Sequence, residues 1–123
     1  LTASNKAANS IVFSQRLFSP VEIQGAIDRL NKDDQKIKHI SQDKHNWKQK
    51  LGFDPKDPKD WDKITATIAT VLAVGTEKSY GLARIKTVKV FIWTSQGFVR
   101  EFIEVTYKVV DGILRISDAW VRR

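Results

Sequence analysis

Both histidines of the chain lie in one short stretch, Lys38-His39-Ile40-Ser41-Gln42-Asp43-Lys44-His45-Asn46-Trp47, interleaved with lysines and closed by a tryptophan. Histidine is the one side chain that gives and takes a proton near neutral pH without help from its surroundings, so gathering the whole supply here points to acid–base chemistry. The neighbouring lysines indicate an anionic substrate. Cleavage of RNA by its own 2'-hydroxyl fits: one group removes the 2'-OH proton, a second protonates the departing 5'-oxygen, and cations with hydroxyl donors balance the charge gathering on phosphorus. That reaction requires no metal and no other cofactor. A metal centre fits less well, because His-x5-His lies outside the usual ligand spacing and Asp43 would have to serve as third ligand.

Spacing constrains how the two rings can cooperate. His39 and His45 would stand about 120° apart on one continuous helix, too far round to share a substrate. Either one of them is structural, or the chain breaks between them. Ser41 is expected to make that break as the N-cap of a short helix from Gln42 to Leu51. His45 would then sit in an early turn, where a helix N-terminus favours a neutral ring able to act as base. His45 is therefore expected to be catalytic, and His39 to be its partner or a helix-end residue bonded to backbone. Trp47 is expected to anchor the segment.

The rest of the chain must position this stretch. Ser19-Pro20-Val21-Glu22 has the pattern of a helix start with a capping box, and Ile23, Ala26, Ile27 and Leu30 follow at helical spacing. A weaker helix is expected from Ala7 to Arg16. Asp57-Pro58 opens a second strong helix carrying Trp61, Ile64, Ile68, Val71 and Leu72 on one face, with Gly75 as its C-cap and residues 52–58 as a preceding loop. From Tyr80 the apolar period changes to two. Val88, Val90 and Ile92 alternate with Lys89, Phe91 and Trp93, and after a turn at Gly97 a second alternating run extends to Val109. Asp111-Gly112 is a two-residue hairpin signal, with Ile113 to Val121 returning. The expected fold class is α+β: N-terminal helices packed on a C-terminal antiparallel β-meander of three to four strands. The expected organisation is a single domain over 1–123, with 1–18 a junction or first helix, 19–75 helical and 80–121 the sheet.

The hairpin fixes a register, pairing Val110 with Ile113 and so on outward. Tyr107 with Ile116 and Val109 with Leu114 form the buried face. Thr106 with Ser117 and Lys108 with Arg115 fall on the other, together with Arg100 and Phe102 and with Lys89, Phe91 and Trp93 from the neighbouring strand. Rings and cations on an open sheet suit single-stranded RNA, since bases stack on rings while phosphates meet Lys and Arg. The alternative for the rings is a second small core under the N-terminal helix. The expected site thus draws its chemistry from His45, His39, Ser117 and Thr106, and its substrate contacts from Lys44, Lys89, Arg100, Lys108 and Arg115.

Composition agrees with such a partner. The 123 residues carry 21 Lys and Arg against 14 Asp and Glu, a net charge of +7, as expected for a nucleic-acid binder or the partner of an acidic protein. With 41% apolar and 28% charged residues the chain is ordinary for one globular domain. No apolar run is long enough to span a bilayer, and Leu1-Thr2-Ala3-Ser4 has no signal-peptide character. The lack of any Met makes the chain, by expectation, a piece of a longer protein whose N-terminus is a junction. The lack of Cys removes disulfides, thiol nucleophiles and thiolate zinc sites. That would suit a chain that unfolds to cross membranes, or it is chance in a short sequence.

Lys38-His39-Ile40, Lys44-His45-Asn46-Trp47, the Trp61-bearing helix and the closing Arg115-Ile116-Ser117-Asp118-Ala119-Trp120-Val121 together resemble the C-terminal toxin domains of bacterial polymorphic and contact-dependent inhibition effectors. The likeness is greatest to the polymorphic toxin type 35 class and covers roughly residues 36–121, with the two end motifs more specific than the strands between. The resemblance implies a ribonuclease of the barnase, EndoU, colicin and RelE type, with helices leading into an antiparallel sheet whose open face holds the active site. It implies delivery into the cytoplasm of a neighbouring bacterium as the tail of a secreted or surface protein, tRNA as target, and an acidic immunity protein in the producing cell. Some such toxins also need a host factor, elongation factor Tu among them. It supports His39, Lys44, His45 and Ser117 as site residues, whereas Thr106, Arg100 and Arg115 rest on the strand register alone. The competing functions are a metal-dependent DNase toxin and a non-catalytic basic module that binds RNA or an acidic protein.

Overall fold

The computed structural model describes residues 17–95 and 97–123. The helix expected from Ala7 to Arg16 lies outside them. Helices α1 (Pro20–Asn31), α2 (Asp34–Ile40), α3 (Trp47–Leu51) and α4 (Pro58–Val74) precede a four-stranded antiparallel sheet, so the fold is α+β as expected. α1 begins where its sequence requires: the Ser19 hydroxyl accepts from Glu22 N and the Glu22 carboxylate accepts from Ser19 N, both at 3.1 Å. Asp57 caps α4 by accepting from Lys59 N at 2.9 Å. Gly75 follows α4 with an ordinary φ of −69°, so it is not needed for a left-handed turn. It is needed for space, because a Cβ there would stand 2.5 Å from the Val71 carbonyl oxygen.

The strands β1 (Thr76–Tyr80), β2 (Ala83–Thr94), β3 (Gly97–Val110) and β4 (Ile113–Val121) pair in sequence order. The sheet thus begins at Thr76 and not at Tyr80. Thr76-Glu77-Lys78-Ser79 is a polar, largely exposed edge, so no apolar alternation announces it. At the β3–β4 hairpin Asp111 and Gly112 both have positive φ, 53° and 77°, the primed turn that matches the twist of the flanking strands. One face of the sheet is covered by the helices. Ile103, Val105, Tyr107, Leu114, Ile116, Ala119 and Val121 from the strands meet Ile23, Ala26, Ile27 and Leu30 of α1 and Ile64, Ile68, Val71 and Leu72 of α4 in one core. No helix among the described residues is long and apolar enough to cross a membrane.

The register departs from the simple hairpin at one point. Val110↔Ile113 through Tyr107↔Ile116 pair as expected, but Thr106 then faces Asp118 and not Ser117. Ser117 is the extra residue of a β-bulge. Without it, alternation would turn Asp118 into the core behind Ile116. With it, Ala119 and Val121 are fully buried while Asp118 and Trp120 stay partly exposed on the other face. Val109 also differs from expectation, being 40% exposed close to the hairpin tip.

β4 is an end strand, and its outward carbonyls are met by side chains from the helical half. Arg29 Nη2 donates to Leu114 O at 2.8 Å, His45 Nδ1 to Ala119 O at 2.8 Å, and Asn46 Nδ2 to Val121 O at 3.2 Å. Three buried or half-buried acceptors are thereby satisfied without a fifth strand.

Candidate active site

The chain does break between the histidines, by a different device from the one expected. Ser41 ends α2 as its C-cap and does not start a helix. A single 3-10 turn, Asp43–His45, follows, and Asn46 adopts a left-handed conformation, φ 65°, before α3 begins at Trp47. Asn is one of the few non-glycine residues that take this geometry readily. The end of α2 at Ser41 and the extended backbone of Gln42, φ −62° and ψ 146°, bring His45 back beside His39, and the two ring centroids lie 5.1 Å apart at a near-perpendicular angle. Trp47, 1% exposed, anchors the turn in the core as its type suggests.

Asp118 joins the pair. His39 Nε2 lies 3.0 Å from Asp118 Oδ2 and His45 Nδ1 lies 3.4 Å from Asp118 Oδ1. The carboxylate is itself held by the Ala119 backbone N–H, which donates to Oδ1 at 2.8 Å. A carbonyl oxygen only accepts, so the contact with Ala119 O requires a hydrogen on His45 Nδ1. In the neutral ring that leaves the lone pair on Nε2. This backbone bond, and not a helix N-terminus, selects the tautomer. His45 is 5% exposed, whereas the His39 side chain is 48% exposed. Trp120 stands beside His45 at 6.4 Å between ring centroids, with Tyr80 6.3 Å beyond it.

Asp118 and Trp120 are the site residues missed in the sequence. A signal was present: the buried positions Leu114, Ile116, Ala119 and Val121 step by two, three and two. The step of three is the mark of a bulge, and it places Asp118 outward. Asp43, the acid considered as a third ligand, is an exposed residue of the 3-10 turn, and the acid that meets both rings is Asp118.

The other expected residues divide into near and far. Lys44 is exposed in the turn between Asp43 and His45. Thr106 faces Asp118, but it is 4% exposed and its hydroxyl points to Asp118 O at 3.5 Å, so it supports the bulge and does not face a substrate. Ser117 occupies the bulge. Lys108 and Arg115 pair with one another two residues from Thr106 along β3, about 7 Å away. Lys89 and Arg100 are remote. Lys89 pairs with Phe102 and Arg100 with Phe91, which sets them roughly 13 and 20 Å from Thr106 along the strand.

These remote cations belong to an aromatic patch at the far end of the same open face. Phe91 and Phe98 stack with centroids 6.1 Å apart, Trp93 lies 5.0 Å from Phe98, and Lys89 Nζ lies 5.6 Å from the Phe91 ring and 5.8 Å from the Phe102 ring. Trp93 is 79% exposed, so among the described residues these rings do not form a second core.

Between patch and histidines sits Glu104. It accepts from Arg122 Nε at 2.9 Å, Arg122 Nη2 at 3.2 Å, Trp120 Nε1 at 3.3 Å and Thr87 Oγ1 at 3.3 Å. The Arg122 hydrogen bonds hold the Glu104 carboxyl below its ordinary value of 4.5 against the opposing effect of burial, with the Arg122 charge and the Trp120 and Thr87 bonds adding to the depression. Arg122 is raised in return, chiefly by the Glu104 hydrogen bond. Since the folded value lies below the unfolded one, this contribution to stability is complete above about pH 4.5 and is lost as the pH falls through the folded value. Glu104→Gln is therefore expected to flatten the acid limb of stability. Urea midpoints measured at about pH 6 and about pH 3 should differ less in the variant than in the wild type.

No family model, curated protein or solved structure matches the chain.

Proposed function

We propose that this domain is a metal-independent ribonuclease that cuts RNA by 2'-OH transesterification. The observation that carries the reading is the meeting of the chain's two histidines on Asp118, beside a sheet face that bears cations and rings. His45, its Nδ1–H committed to Ala119 O, takes the 2'-OH proton at Nε2. The 2'-oxygen attacks phosphorus, the P–O5' bond breaks, and His39 protonates the leaving oxygen. The products are a 2',3'-cyclic phosphate and a 5'-hydroxyl. Asp118 orients both rings, as the acid of a catalytic triad orients its histidine. Lys44, Lys108 and Arg115 are the nearest expected cations for the phosphate. The aromatic patch with Lys89 and Arg100 holds bases and backbone farther along a single-stranded segment.

The biological setting carries over from the resemblance. In this reading the domain is the toxic tail of a secreted or surface effector, acts in the cytoplasm of a target bacterium with tRNA as substrate, and is neutralised at home by an acidic immunity protein. Elongation factor Tu is a candidate activating factor. The net charge of +7 suits both RNA and an acidic inhibitor.

Incubating the purified domain with total tRNA in EDTA and mapping product ends tests the chemistry. Discrete fragments ending in 2',3'-cyclic phosphate are expected. Fragments ending in 3'-OH would overturn the mechanism, and retention of RNA with no product would favour a binding module. A metal-dependent nuclease would be silent in EDTA and active once an ion is restored.

A further inference from the structure

We propose that His39, His45 and Asp118 also form a binding site for a late first-row divalent ion such as zinc, and that the ion and RNA exclude one another there. One ligand atom from each residue lies within 4.8 Å of the other two. A tetrahedral zinc ion, about 2.0–2.1 Å from its nitrogen and oxygen ligands, needs those atoms about 3.3 Å apart. His39 Nε2 and Asp118 Oδ2 at 3.0 Å already approach that spacing, and His45, whose Nδ1–H is held by Ala119 O, offers the lone pair of its Nε2. His39 is the more exposed ring, so the adjustment falls on the side chain best able to move.

Composition makes the assignment sharper. The chain has no Cys and no His beyond these two, so its entire supply of imidazole, and no thiolate, is gathered at this point. Two imidazoles with one carboxylate select zinc, nickel, copper or cobalt over magnesium and calcium, which take oxygen ligands. The Ala119 N–H bond to Asp118 Oδ1 supplies the outer support that ligating carboxylates commonly have. Three protein ligands leave a fourth position for water.

Exclusion follows from shared atoms. An ion on these side chains takes the lone pairs that the acid–base steps use and places a positive charge where a proton must be exchanged. This half of the inference rests on the ribonuclease reading, and the binding half does not.

Calorimetric titration of the EDTA-treated, dialysed chain with zinc chloride is expected to give one ion per chain. His39→Ala, a change at an exposed ring, and Asp118→Asn should each weaken binding more than about tenfold, whereas Lys59→Ala on α4 should not. Absence of saturable binding, or wild-type affinity in both site variants, overturns the site. Zinc that halts RNA cleavage, with EDTA restoring it, supports exclusion; cleavage that continues with one ion bound overturns it. The two readings can fail separately. Cleavage in EDTA with no ion bound at any concentration removes the metal site and keeps the ribonuclease, while cleavage seen only with the ion bound keeps the site and removes the metal-free mechanism.

Discussion

His45→Asn is expected to lower the rate of RNA cleavage by about a thousandfold, within the range that a positioned acid–base group supplies, while leaving the domain folded. The choice of asparagine follows from the hydrogen bond to Ala119 O. Asn can present an amide N–H near the position of Nδ1 and keep that buried carbonyl satisfied, yet it has no counterpart of the Nε2 lone pair. His45→Ala is a poorer probe. It removes a side chain that is only 5% exposed and strands the Ala119 acceptor, at about 1–3 kcal/mol for the unsatisfied group alone. Part of any lost activity would then be lost fold. The comparison is made by single-turnover cleavage of tRNA at equal concentrations of folded protein, with circular dichroism and urea midpoints recorded in parallel. An asparagine variant of native stability that cuts within tenfold of wild type would remove His45 from the chemistry.

Trp47→Ala is expected to cost about 3–5 kcal/mol, a large share of the roughly 5–15 kcal/mol by which domains are stable. Trp47 is among the largest fully buried side chains and follows directly on the turn that carries His45 and Asn46. Its loss would open a cavity and free the turn that aims His45 at β4. Trp47→Phe separates volume from polarity. Among the described residues the indole N–H has no hydrogen-bond partner, and it is out of contact with solvent, so phenylalanine loses some volume but also relieves an unsatisfied donor. Urea denaturation should rank the three proteins wild type, then Phe close behind, then Ala far below. An alanine variant within about 1 kcal/mol of wild type would show that Trp47 is not the anchor assigned to it.

Much of the architecture was legible because local chemistry and global fold agree. Ser19-Pro20-Val21-Glu22 and Asp57-Pro58 satisfy the first amides of α1 and α4, and Asp111-Gly112 supplies the two positive φ angles of its hairpin. β1 was hidden because an exposed edge strand has no buried face to write an alternation. The site was half legible. Helical geometry let the two rings meet only across a break between His39 and His45, but Ser41 stands there as the C-cap of α2, followed by an extended Gln42, and not as the N-cap of a new helix. The expected Thr106–Ser117 pair failed because a two-residue turn was extended as if no bulge intervened, and one inserted residue exchanges the faces of all that follow. Lys89 and Arg100 share the open face with Lys108 and Arg115, as alternation predicts. Alternation alone, however, says nothing of distance along a strand, and that distance divides them into two groups.

The side chains that meet Leu114, Ala119 and Val121 act, in a polymer chemist's terms, as end-caps on β4. Each occupies an acceptor that the end strand of another molecule could have used, so joining of sheets at this end is opposed, and one of the capping residues is His45.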